Sequence, residues 1–169
     1  MPDNADAKRN SRNAVLACLL EATARKPGNV HPGASFADLT YADFVRSAHL
    51  IGPSFEQARE WSVGRIVLDA VERTQRAVGR NTNLGILLLL APLASVPHGV
   101  ALRDGIGGVL AGLTREDAAL VYEAIRLVNP GGLGRVESED VAETPSVTLL
   151  EAMRLAAAPA HTIALGNDQ

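Results

Sequence analysis

Residues 54–79 read SFEQAREWSVGRIVLDAVERTQRAVG. Apolar residues return every three or four positions. Trp61, Leu68 and Val71 fall on one face, with Arg65, Glu72, Arg73 and Arg76 mostly on the other. That period is the signature of an amphipathic α-helix, since strand side chains alternate with a period of two. Ser54 followed by Gln57 has the form of a capping box, and Gly79 suits the residue just past a helix end. The stretch predicts one long helix over 55–78.

The same pattern extends in both directions. Upstream, Thr40 with Asp43 opens a helix over 41–51 that buries Phe44, Ala48 and Ile51, and Gly52-Pro53 stops it. Ser11 caps a helix over 12–25 with Val15, Leu16, Leu19, Leu20 and Thr23 on one stripe. Pro27-Gly28 ends that helix, and a loop runs to about Leu39. Downstream, Asn81 caps a short helix over Leu84–Leu90 that is apolar on every side, so it is expected in the middle of the bundle. Pro92 kinks or ends it. A glycine-interrupted helix follows over 100–112, and Thr114 with Asp117 starts another over 115–128. Residues 129–145 form a long loop, and a last helix covers 146–157. No β-alternation and no internal repeat is found. The expectation is an all-α chain: a compact bundle of about seven helices around a central apolar helix. It forms a single helical domain over 1–169, with 1–11 and 158–169 as poorly ordered tails.

Composition narrows the function classes. The chain has 169 residues, enough to bury a core in one domain. It has 16 Lys+Arg against 19 Asp+Glu, a net charge of −3. This balance excludes nucleic-acid binding by bulk charge, which needs a concentrated basic face. Cys18 is the one cysteine, so neither an internal disulfide nor a cysteine metal cluster is available. The polar start lacks a secretory apolar core, and the apolar run Gly85–Val96 falls short of the roughly 20 residues of a membrane span. A cytoplasmic protein with no membrane partner is expected.

Two segments concentrate chemistry. Lys26-Pro27-Gly28-Asn29-Val30-His31 sets a cation, an amide and an imidazole among residues that fix backbone shape. Lys26 beside a glycine-rich turn can meet a phosphate, with free backbone N–H groups helping; a rigid helix stop with a surface lysine is the alternative. Arg80-Asn81-Thr82-Asn83 places three hydrogen-bonding side chains in a row at a helix start, where one cap would suffice. Capping alone is the alternative there. Asp38 and Asp69 are candidate Mg2+ or general-base carboxylates, against ordinary solvated surface. The 129–134 glycine loop is a weak phosphate-cradle signal without a Walker lysine. His31, His49, His98 and His161 lack metal-ligand spacing.

Glu21 … Lys26-Pro27-Gly28-Asn29-Val30, then Asp38, then Asp43-Phe44-x-x-Ser47-Ala48, then Asn81-Thr82-Asn83-Leu84-Gly85 resemble, in order, the motifs of the triphosphoribosyl-dephospho-CoA synthase family. The similarity runs from about residue 12 to 157 and is nearest in wording to a divergent, archaeal-like branch. The resemblance implies an all-α transferase. It would move the triphosphoribosyl group of ATP to the 2′-hydroxyl of 3′-dephospho-CoA and release adenine, with Mg2+ on the triphosphate. It implies Glu21 and Asp38 as catalytic carboxylates and Lys26, Gly28, Asn29, Ser47, Asn81, Thr82 and Asn83 as substrate- or phosphate-binding residues. Asp38 and Asp69, the candidate carboxylates, are the expected metal ligands. Two departures stand out. The family's N-T-H-K-G is here Asn81-Thr82-Asn83-Leu84-Gly85, without histidine and lysine. The tail from Ala158 does not continue the pattern, which implies a missing C-terminal portion and, through an uncovered stripe of Leu149, Leu150, Met153 and Leu155, a homo-oligomer. A non-catalytic nucleotide- or CoA-derivative-binding module, and a helical interaction protein with merely structural glycine loops, are the rival readings.

Overall fold

The computed structural model describes residues 4–128 and 140–157. Eight helices lie among the described residues: α1 (Asn4–Thr23), α2 (Tyr41–Leu50), α3 (Gly52–Glu56), α4 (Val63–Val78), α5 (Leu84–Ala94), α6 (Leu102–Ala111), α7 (Arg115–Val128) and α8 (Leu149–Ala157). The protein is an all-α bundle. The only β-type pairing among these residues is an isolated bridge between His31 and Ala34.

The bundle is built around α4. Val63, Ile66, Val67, Leu68, Ala70 and Val71 are all buried, and the helix packs on α2, α3, α5 and α7, with α7 its most extensive neighbour. Gly64 makes the α7 contact possible, because a Cβ there would sit 2.6 Å from the backbone oxygen of Asp117. The Asp117 carboxylate then ties the pair: Oδ1 accepts the Gly64 N–H at 2.8 Å, and Oδ2 accepts the N–H and hydroxyl of Thr114 at 2.9 and 2.8 Å. Burial alone would raise its pKa, but these donors outweigh it and hold the carboxylate below its ordinary value.

The structure corrects several boundaries. The predicted helix over 55–78 is broken into α3 and α4, because Ser62 takes the N-cap with its Oγ accepting the Arg65 N–H at 3.3 Å. Trp61 therefore lies in the connection, half-buried, with the Arg65 guanidinium 5.4 Å from its ring centre. Gly52-Pro53 does not separate helices by a loop: Pro53 sits in the first turn of α3, where its missing N–H costs nothing. Helix α1 starts at Asn4, so residues 4–11 are helical and not a tail. Helix α5 runs two residues past Pro92, which lies inside it and lacks the N–H that would bond Leu88 O.

The expectation of Leu84–Leu90 at the centre is overturned. Leu87 and Ala91 are fully buried, but Leu89 is 71% exposed and Ile86, Leu88 and Leu90 are half-buried. The centre belongs to the amphipathic α4 because it has packed neighbours on most sides, whereas α5 lies nearer the rim, under the peripheral α6. The predicted starts at Thr40 and Thr114 hold, with Asp43 Oδ2 accepting the N–H and hydroxyl of Thr40 at 2.8 Å each. On α8, Leu149 is buried while Met153 and Leu155 are exposed. The 129–134 glycine loop, His161 and the 158–169 tail lie outside the described residues.

Candidate functional site

Four helix ends meet at one end of the bundle: the C-terminus of α1, the N-terminus of α2, the C-terminus of α4 and the N-terminus of α5. The links are side-chain bonds between segments far apart in sequence. Thr23 Oγ1 and Tyr41 Oη are 3.0 Å apart and join α1 to α2. The Thr82 hydroxyl donates to Ser47 Oγ at 2.7 Å, with both residues buried. An Arg80 guanidinium nitrogen stands 3.6 Å from Asp38 Oδ2.

The first segment is shaped by its turn. Asn29 N–H donates to Lys26 O at 3.2 Å across Pro27-Gly28, and Gly28 has φ +75°. Proline then glycine at the two central positions suits a type II turn, whose third residue needs the left-handed region. The turn fixes Lys26 just past α1, where its Nζ pairs with Glu21 Oε1. Both side chains are partly exposed, so the ion pair is accessible. Glu21 also faces Cys18. Burial foremost, then the Glu21 charge, push that thiol up to about 12, so Cys18 is a packing residue and not a nucleophile.

The second segment begins at Gly79, which closes α4 in the left-handed conformation (φ 71°). Asn81 caps α5: its Oδ1 accepts the Leu84 N–H at 3.3 Å. Asn83 stands at the formal N-cap but makes no side-chain cap bond. It is 6% exposed, and its Nδ2 is buried without any hydrogen-bond partner. Buried amide donors are nearly always satisfied, and leaving one unmade costs about 1–3 kcal/mol.

Of the residues named from sequence, the structure pairs Lys26 with Glu21 and Thr82 with Ser47, and it sets Asp38 against Arg80, the neighbour of Asn81. It does not bring Asp69 to these residues. Asp69 lies on α4, about 13 Å before the end of that helix. Its Oδ2 accepts from the Ser54 hydroxyl and from Arg73 Nε at 2.7 Å each. Burial pushes its pKa up, the Arg73 and Ser54 bonds pull it down further, and the net shift is downward. Asp38 and Asp69 are therefore separate, and among the described residues no three His, Cys, Asp or Glu side chains converge to hold a metal. Sequence reading quoted Arg80 within its segment without giving it a role, and passed over Tyr41. The cation following a helix-ending glycine was a legible signal for Arg80, but nothing local marked the Tyr41 hydroxyl. Gln75, whose Oε1 is also buried and unpartnered one turn before Gly79, gave no signal either.

These features define a class: an all-α protein with one end made of helix termini and short turns, near which the buried side-chain atoms Asn83 Nδ2 and Gln75 Oε1 have no hydrogen-bond partner. The chain belongs to the ATP:dephospho-CoA triphosphoribosyl transferase (CitG) family, whose model matches residues 7–164. It is thus a member of a transferase family. No curated protein and no solved structure matches it. No helix of the described residues is long and apolar enough to cross a membrane.

Proposed function

We propose that the chain transfers the triphosphoribosyl group of ATP to the 2′-hydroxyl of 3′-dephospho-CoA, releasing adenine. The observation that carries the reading is the family match over residues 7–164; the Thr82–Ser47 and Arg80–Asp38 links, which tie the N-T-N-L-G segment to α2 and to the loop before it, support it. In the reaction the 2′-oxygen bonds to C1′ of the ATP ribose. The C1′–N9 bond breaks and its electron pair leaves with adenine. The proton of the attacking hydroxyl passes to a base and, in the end, to adenine.

Lys26 is the phosphate cation in this reading. It is paired with Glu21 in the free protein, so an incoming triphosphate exchanges places with that carboxylate. Glu21, released, is then an acceptor for the 2′-hydroxyl proton. Asp38, exposed and held by Arg80, is the carboxylate suited to the Mg2+ that arrives on the triphosphate. One carboxylate is enough, because Mg2+ is commonly carried by substrate phosphates and water with few protein ligands. Asn81 and the Thr82–Ser47 hydroxyl pair shape the floor on which the ribose sits.

Calorimetry with ATP and with dephospho-CoA, followed by an assay for free adenine, tests the proposal. Both ligands should bind and adenine should appear only when both are present. Lys26→Ala should weaken ATP binding by about 1.5 kcal/mol, the low end for charge-assisted bonds, since Lys26 is partly exposed and already paired. Absence of ATP binding would overturn the reading. Binding of both ligands without adenine release would favour the non-catalytic module. Position 84 is the observation on that side, because Leu84 is buried in the core where the family wording has lysine.

A further inference from the structure

We propose that Asn83 holds the adenine ring of ATP, its amide pairing with the N7/N6 edge of the purine, so that the start of α5 is a base site and not a phosphate site. This rests on the reading that the chain uses ATP. Three observations lead to it. First, Asn83 is nine-tenths buried and its Nδ2 has no partner. Second, capping does not explain it, because Asn81 has taken that task and Asn83 is free of it. Third, the surroundings are neutral. Thr82 and Ser47 satisfy each other, Leu84 and Leu87 are buried beside them, and the cations Lys26 and Arg80 are matched by Glu21 and Asp38.

A triphosphate placed against Asn83 would set several negative charges against a neutral buried amide, which is costly. A purine would bury apolar faces and bring both an acceptor, N7, and a donor, the N6 amino group. A side-chain amide pairs with that edge through its own donor and acceptor. The placement also bears on the chemistry. Adenine is the leaving group, and as the C1′–N9 bond lengthens the ring gains electron density. An N–H held on N7 stabilises that density without transferring a proton.

The test compares four probes by equilibrium binding: ATP, adenosine, 7-deaza-ATP and inorganic tripolyphosphate. Wild-type protein should bind 7-deaza-ATP about tenfold more weakly than ATP. Asn83→Leu should bind ATP and adenosine about tenfold more weakly than wild type, bind tripolyphosphate unchanged, and no longer distinguish ATP from 7-deaza-ATP. Leu removes an unpaired buried amide at similar volume, so its unliganded thermal midpoint should be unchanged or higher. If Asn83→Leu fails to fold, the wild-type comparison of ATP with 7-deaza-ATP decides alone. Equal wild-type binding of those two nucleotides would overturn the base site. So would loss of tripolyphosphate affinity in Asn83→Leu, or unchanged ATP affinity. In all three cases ATP binding by wild type would keep the broader reading intact. Wild-type protein that binds no ATP would overturn both.

Discussion

Adding a methyl group at Gly64 should be costly, and adding one at Gly85 should not. At Gly64 the new Cβ would lie 2.6 Å from Asp117 O and 2.7 Å from Asp117 Cα, both backbone atoms that cannot rotate away. Reaching the 3.4 Å of ordinary contact requires α7 to retreat by about 0.8 Å. The same retreat would stretch the 2.8 Å bond from Gly64 N–H to Asp117 Oδ1 to about 3.6 Å, beyond hydrogen-bonding range. Losing a bond to a buried carboxylate costs about 1.5–3 kcal/mol, and overpacking without movement costs about 1–3 kcal/mol. Against this, alanine is favoured over glycine in a helix by up to about 1 kcal/mol. The net expectation for Gly64→Ala is a loss of about 2 kcal/mol, or a fall in Tm of about 4–8 °C for a chain of this size. Gly85 occupies the equivalent second position of α5, and its Cβ would enter open space. Gly85→Ala should therefore keep or slightly raise the Tm. Urea and thermal unfolding of the two variants beside wild type measure both effects. Gly64→Ala as stable as Gly85→Ala would refute the α4–α7 contact around which the bundle is built.

Other outcomes follow from the same packing. Leu87→Ala should cost about 2–5 kcal/mol through a cavity, and Leu89→Ala less than about 0.5 kcal/mol; equal losses in urea titrations would return α5 to the centre of the bundle. The pKa values of Asp69 and Asp117 are lowered in the folded state, so the stability each contributes is complete above its unfolded value of 3.8 and is lost as pH falls through the lower folded value. Unfolding followed below pH 4 should steepen for wild type, and Asp117→Asn should flatten that acid limb; an unchanged limb would count against the carboxylate's bonds to Gly64 and Thr114. Cys18, buried and with its pKa at about 12, should resist thiol reagents at pH 8 until denaturant opens α1; rapid labelling of native protein would contradict its burial.

Periodicity and caps were enough to read the all-α class and most helix positions, because they are local. Apolar residues three and four apart share a face whatever that face packs against, and Thr40-Asp43 and Thr114-Asp117 close their bonds within one turn. The motif residues were legible for a similar reason: Lys26-Pro27-Gly28-Asn29 and Asn81-Thr82-Asn83 carry more hydrogen-bonding groups and backbone punctuation than their local structure consumes. Which helix would be central was not legible. The apolar count of Leu84–Leu90 pointed to α5, but centrality depends on how many neighbours surround a helix, and the chain turns so that α2, α3, α5 and α7 all find α4. The role of Asp69 was hidden for the same reason, because its Ser54 partner comes from another helix. Only the tertiary structure could separate Asn81 from Asn83. Both are asparagines before a helix and suit the same cap. The fold satisfies α5 with the first and seals the amide of the second, unpaired, inside the end of the bundle.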